Sequence, residues 1–368
     1  MVKNNFNVLC EYLKNILVND ERTYLFIADG LESYVLQDFK KKCPKNVLSR
    51  IINIGISEQN ALSMAAGLAL GGKIPYVVMF APFMTMRGAE QIKLDICYPN
   101  ANVKLIGTNA GFYGTSLGGY SHCALEDIAL FNALPNVQIY SPSPNKDEFE
   151  TILENAYKHN GPVYIRLNAA EAQFDSNNYE VKNQKIAQVV RGKGVAIIAT
   201  GYSVEMAKLY ASKMCKTPSV YSVYCLKPFD EAGLRDIIKH HKVIFTVEEH
   251  ASGGLSSIVS TIIAKSGVKV KFIPVYSLAD NYNCVIENRD VIYQRFLMNF
   301  DSFAKKYIEL IINKNRLFWQ RTGRITSKNK VMTVYRILGI PVLSKQPRDV
   351  LKKWRPKNNY YIFGLRII

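Results

Sequence analysis

The sequence predicts an α/β protein: two three-layer α/β/α domains with mainly parallel sheets, followed by a basic C-terminal tail. Three observations carry this. Short, continuously apolar runs alternate with helical stretches, the pattern of parallel strands buried on both faces. A polar stretch over 175–184 interrupts the alternation, which then restarts. At Trp319 the composition turns basic. The 368 residues suit two domains and an appendage, and an apolar fraction of 48% excludes global disorder. The divisions fall at 1–185, 186–318 and 319–368.

In the first division the runs 24–28, 76–80, 103–107, 137–140 and 163–167 read as strands, and Glu58 to Leu70, rich in Ala and Met, as a helix. In the second, the run Gly194 to Gly201 restarts the pattern, with a strand leading to a helix from Ser203. The runs 219–224, 243–247 and 270–274 continue the series, with a further helix after Gly253-Gly254. The tail carries a short self-similarity, Tyr335-Arg-Ile-Leu-Gly-Ile-Pro-Val-Leu343 against Tyr360-Tyr-Ile-Phe-Gly-Leu-Arg-Ile-Ile368. Two copies are too few for a solenoid, so they read as apolar, β-prone anchors in a basic strip, with a solvated extension as the default.

The formal net charge of +17 divides unequally. The tail holds 12 basic residues and one acid, Asp349, a net of +11, and residues 1–318 carry the remaining +6. A nucleic-acid role is not expected, because the excess is local and no recognised binding module accompanies it. The N-terminus lacks a signal-peptide core, and the apolar region 61–84 is broken by Gly71-Gly72-Lys73 and Pro75. The seven cysteines are scattered, odd in number and without a CxxC pair, which fits free thiols in a reducing cytoplasm.

Glu58 opens a helix after a Gly-containing turn, which alone is no more than a favourable first-turn charge. No metal-ligand spacing accompanies it. The surrounding motifs make it informative: Ile54-Gly55-Ile56-Ser57-Glu58-Gln59-Asn60, then Phe80-Ala-Pro-Phe83, Arg87-Gly-Ala-Glu-Gln91, Ser121-His122-Cys-Ala-Leu-Glu126-Asp127 and Leu134-Pro-Asn-Val137. Thr200-Gly201, Lys227-Pro-Phe-Asp230, Val247-Glu-Glu-His250 and Gly253-Gly254 follow in order. Over roughly residues 5 to 318 the sequence resembles the C-terminal half of transketolases, in particular the stand-alone C-terminal subunits of split transketolases.

The resemblance implies a pyrimidine-binding domain, a small C-terminal domain and thiamine diphosphate as cofactor. Glu58 matches the carboxyl group that hydrogen-bonds the pyrimidine N1′ and promotes the tautomer that removes the thiazolium C2 proton. Burial at an interface would raise its pKa and suit proton sharing. Phe80 and Phe83 match positions packing around the pyrimidine, Ile56 a neighbouring backbone contact, and Asp29 an acid near the cofactor interface. Packing and turn capping are the bland readings of these residues. His122 matches the histidine that contacts the substrate hydroxyl, and His250 a structural position.

The departures are also informative. Ser33 matches the hydroxyl member of the family's distal phosphate-binding set. The basic members are missing: Asn109 stands near the expected histidine and Ala169 in place of the expected arginine. Gly118 occupies the place of an aspartate that reads a substrate hydroxyl. Lost charge-assisted bonds weaken phosphate binding, which implies an atypical sugar. The Gly-Asp-Gly motif that holds diphosphate and Mg2+ in the family does not occur here. A separate N-terminal subunit would supply it, in an α2β2 assembly. The alternatives are the β subunit of a 2-oxo acid dehydrogenase and a non-catalytic scaffold. The tail elements resemble short repeats at the ends of bacterial surface-polysaccharide enzymes, which implies glycan biosynthesis and contact with a glycan-assembly partner or the inner membrane face.

Overall fold

The computed structural model describes residues 4–28, 43–112, 118–168, 179, 185–214, 217–275, 291–293 and 300–304, together with the backbone of five tail strands between 319 and 367. The first division supplies β1 (Thr23–Ile27), β2 (Ile51–Asn53), β3 (Ile74–Phe80), β4 (Lys104–Thr108), β5 (Gln138–Tyr140) and β6 (Val163–Arg166). The second supplies β7 (Ile186–Val190), β8 (Gly194–Ala199), β9 (Ser219–Val223), β10 (Cys225–Lys227), β11 (His241–Val247) and β12 (Lys271–Val275). The first sheet runs β10-β5-β6-β4-β3-β1-β2 and is parallel except for β10. The second runs β12-β11-β8-β9-β7 and is parallel except for β7.

Strand alternation sorts the apolar side chains into two layers. Leu25, Ile27, Tyr76 and Val78 pack with Val8, Leu9 and Leu13 of α1 (Asn5–Asn19) and with Phe149 and Ile152 of a helix over Lys146–Lys158. Phe26, Val77 and Met79 face the other way, onto Ala61, Leu62 and Ala65 of the helix Glu58–Leu70 and onto Ile92 and Ile96. This second layer continues through Ile128, Phe131 and Ile139 to Ile198, Ile244, Leu255 and Val259, so one core spans both sheets.

Three strands of these two sheets escape sequence patterning for physical reasons. The first is the edge strand β2, whose three residues are too few to show a period. The edge strand β7 is buried at Ile186 and Ala187 and then turns outward, which leaves no alternating run. The three residues of β10 are too short to show a period, and they pair antiparallel with β5 across the division between the two segments.

A buried polar network ties the two sheets together. Arg166 at the end of β6 donates from Nε to Asp127 Oδ2 at 2.7 Å, and from Nη2 to the carbonyls of Ala124 (3.1 Å) and Glu249 (2.8 Å). Tyr164 donates to the same Asp127 oxygen at 2.7 Å, and Asn168 Nδ2 to Glu249 Oε2 at 2.9 Å. Arg166 and Asp127 are 1% and 0% exposed, so each charge depends on the other.

The tail differs from a solvated extension. It forms a third, five-stranded antiparallel sheet in consecutive order: β13 (Trp319–Ser327), β14 (Lys330–Ile337), β15 (Ile340–Pro347), β16 (Asn358–Ile362) and β17 (Leu365–Ile367). Register pairs Ile337 with Ile340 and Ile362 with Leu365, leaving two residues between the partners in each case. Each copy of the sequence repeat therefore falls on a pair of adjacent antiparallel strands. Among the described residues, no helix is long and apolar enough to cross a membrane.

Candidate active site

The turn before the helix Glu58–Leu70 is set by local bonds. Gly55 N–H donates to Asn53 Oδ1 at 2.8 Å, and Ser57 Oγ donates to the Ile54 carbonyl at 2.6 Å. This delivers Glu58 to the first helical position, where the helix dipole favours a carboxylate. Glu58 is 3% exposed, and Arg87 Nη1 donates to its Oε2 at 2.7 Å.

Arg87 ends a π-helical turn over Phe83–Arg87, and a second such turn covers Ile92–Cys97. The wide turns follow directly on β3, so Phe80 at the strand end and Phe83 at the helix start come together with ring centroids 6.0 Å apart. The His122 ring lies 5.2 Å from Phe83, edge to face, and 6.1 Å from Phe80. Its Nδ1 stands 3.0 Å from Ser121 Oγ. The guanidinium of Arg87 sits 4.8 Å above the Phe83 ring, a cation–π contact. Glu58, Arg87, Phe83, His122 and Phe80 thus form one continuous chain of contacts.

Of the residues singled out from sequence, Glu58, Phe80, Phe83 and His122 are assembled in this way. Ile56 is 79% exposed in the turn leading to Glu58. Asp29, Ser33 and Ala169 lie outside the described residues. Asn109 is 7% exposed with φ at 56°, and Gly118 stands directly beneath the His122 ring: a Cβ there would lie 2.1 Å from Nδ1. Arg87, quoted from sequence only within the Arg87–Gln91 motif, is the residue that the structure adds to this cluster. Its signal was present in the neighbouring Gly88, where a Cβ would meet Leu62 Cδ1 at 2.2 Å and the Met84 carbonyl at 2.6 Å. That glycine lets the π-helical turn approach the Glu58 helix closely enough for the ion pair.

In the second segment His250 is fully buried. Its Nε2 accepts from the Ile128 N–H at 3.1 Å and its Nδ1 donates to the Ala251 carbonyl at 2.9 Å, which fixes the neutral tautomer. Burial pushes its pKa down to about 4, so the 3.5 Å approach to Asp127 Oδ1 is not an ion pair at neutral pH. Among the described residues, no group of three His, Cys, Asp or Glu side chains stands together as a metal site.

Comparison with known proteins decides the family. Residues 4–173 match the transketolase pyrimidine-binding domain and residues 184–299 the transketolase C-terminal domain. This chain belongs to the transketolase family. It is a transketolase-type transferase, from a family that depends on thiamine diphosphate. It is 33% identical to the B component of the apulose-4-phosphate transketolase of Actinobacillus succinogenes over 269 residues, 72% of this chain and 85% of that protein. It is 31% identical to the 6-deoxy-6-sulfo-D-fructose transketolase subunit SqwH of a Clostridium species, over 71% of this chain and 79% of that one. A solved split-gene transketolase, an inactive β4 tetramer, superposes with a TM-score of 0.70 at 28% identity, covering 83% of this chain and 97% of the other. These transketolase relatives are subunits, and a partner subunit and an oligomer follow for the family arrangement.

Proposed function

We propose that this chain is the pyrimidine-binding subunit of a split transketolase that moves a two-carbon ketol unit between sugars. The observation that carries the reading is a buried carboxylate, Glu58, linked through Arg87 to the Phe80–Phe83–His122 aromatic cluster. An aminopyrimidine fits such a place: it needs an apolar wall and one carboxyl group to hold its ring nitrogen. Thiamine diphosphate, when bound, supplies a carbon nucleophile for cleaving and forming the ketol bond. Glu58 holds the proton shared with the pyrimidine nitrogen, Phe80 and Phe83 exclude water, and His122 donates to a substrate hydroxyl. Asp29 and Ile56 border the cofactor, and Ser33 contacts the substrate.

The diphosphate and Mg2+ belong to a separate N-terminal subunit in an α2β2 assembly, and the chain divides at 185 and 318. The sugar differs from the ribose 5-phosphate and xylulose 5-phosphate of ordinary transketolases. Asn109 and Gly118 stand where the family places a histidine and an aspartate, and the names of two relatives specify apulose-4-phosphate and a sulfo-sugar. A surface glycan is the proposed destination, supported by the paired tail hairpins.

The test is reconstitution with a Gly-Asp-Gly-containing N-terminal transketolase subunit, followed by ketol-transfer assays over a sugar panel. Glu58→Gln should lower turnover roughly hundredfold or more with the fold intact. Unchanged turnover, or pentose-phosphate rates equal to a housekeeping enzyme, would refute the corresponding part.

A further inference from the structure

The ion pair at the mouth of the site is not required by the chemistry above. Glu58 is 3% exposed, and among the described residues Arg87 is its hydrogen-bond partner. A buried carboxylate without a compensating group is costly, and this guanidinium offsets the burial of Glu58. The pairing is built. Gly88 is the residue whose missing side chain lets the π-helical turn press against Leu62, which brings the Arg87 head to 2.7 Å. Yet Arg87 is itself 46% exposed, and its second contact is the flat face of Phe83 at 4.8 Å. One end of the pair is buried, and the other is half-exposed against an aromatic face.

We propose that Arg87 is a placeholder for the pyrimidine: it holds Glu58 in the cofactor-free protein and yields the carboxylate when the cofactor docks, remaining seated on Phe83. This rests on Glu58 being the pyrimidine-facing carboxylate and adds a positioning residue to that site. The exchange breaks an N–H···O bond from Arg87 and makes one between Glu58 and the ring nitrogen, with no covalent change. Arg87 therefore opposes cofactor binding while protecting the cofactor-free protein, and both effects act through Glu58.

Two measurements test it. In the reconstituted complex, the Kd for thiamine diphosphate with Mg2+ is measured for wild type, Arg87→Met, Glu58→Gln and the double variant. Arg87→Met should tighten binding roughly three- to fivefold, the scale of a half-exposed pair, and should have no effect in the Glu58→Gln background. Unchanged or weaker binding by Arg87→Met overturns the exchange. Glu58→Gln with wild-type binding and turnover overturns the site reading itself, which separates the two failures. In the free full-length chain, Arg87→Met should lower Tm and adding Glu58→Gln should restore part of the loss, because the unpaired buried charge is gone. A Tm unaffected by Arg87→Met means that the pair does not hold Glu58, and the idea is lost.

Discussion

Gly118 does more than lack an aspartate. Its bare backbone makes room for the His122 ring, which also meets Phe83 edge to face and stands within hydrogen-bond distance of Ser121. Gly118→Ala places a methyl 2.1 Å from Nδ1, and the histidine, the more mobile of the two, must rotate away. The expected result is turnover reduced roughly tenfold with Tm nearly unchanged, measured in the reconstituted complex; full activity would show that the ring position is unimportant. Glu58 and His122 could be singled out in the sequence as candidates because their neighbours form a motif. Arg87 could not, because a motif records which residues recur and is silent on which of them touch. Its partnership depends on a helix–helix approach that Gly88 permits.

At the scale of elements, the segment from β11 to the helix Leu255–Ser266 carries two buried titratable groups of opposite effect. Glu248 accepts from the N–H groups of Leu255 (2.6 Å) and Ser256 (2.7 Å) at that helix start, and burial still pushes its pKa up to about 7. Its native form keeps a proton that the unfolded chain, with an ordinary value of 4.5, has released, so its contribution favours the fold as pH falls from 7 to 4.5. His250 works the other way. Its native value near 4 lies below the ordinary 6.5, so the unfolded chain binds a proton that the fold refuses, and stability is lost between those values. The full effect is about 3 kcal/mol. His250→Asn removes this, so the stability gap between wild type and variant should shrink by about 2 kcal/mol from pH 7 to pH 4.5 in urea titrations. A gap independent of pH would contradict the assignment. Long buried strands such as β3 and β8 announced themselves by composition. The edge strands β7 and β10 did not, because partners distant in sequence create them.

Across the whole molecule, the same kind of buried polar tie recurs at Glu148. This fully buried side chain accepts from the Ser143 N–H (2.5 Å), Tyr179 OH (2.6 Å) and Ser222 Oγ (2.9 Å), joining the first sheet, the connecting segment and β9. Burial raises its pKa, so part of its hold comes from a carboxyl group screened from water. Glu148→Ala strands three donors at once and should destabilise the protein by about 3 kcal/mol, against about 1 kcal/mol for Tyr179→Phe. Equilibrium urea unfolding separates these; equal losses would mean that Glu148 is not the hub. The α/β class was legible from apolar runs alone, whereas this stitching was not: Glu148 looks in sequence like any first-turn acid of an amphipathic helix. The charge distribution was equally plain, but the conversion of a basic tail into a meander depends on hairpin register, which composition does not encode.

The antiparallel strand β10 also gives the molecule a direction in time. During synthesis the strands from β1 to β6 leave the ribosome first, yet β5 remains an open edge until residue 227 has emerged and folded back on it. The nascent first half therefore waits, with hydrogen-bonding groups bare, for its own continuation. Completion of the sheet on which the Glu58 helix packs reports that the chain has already been made well into its second half.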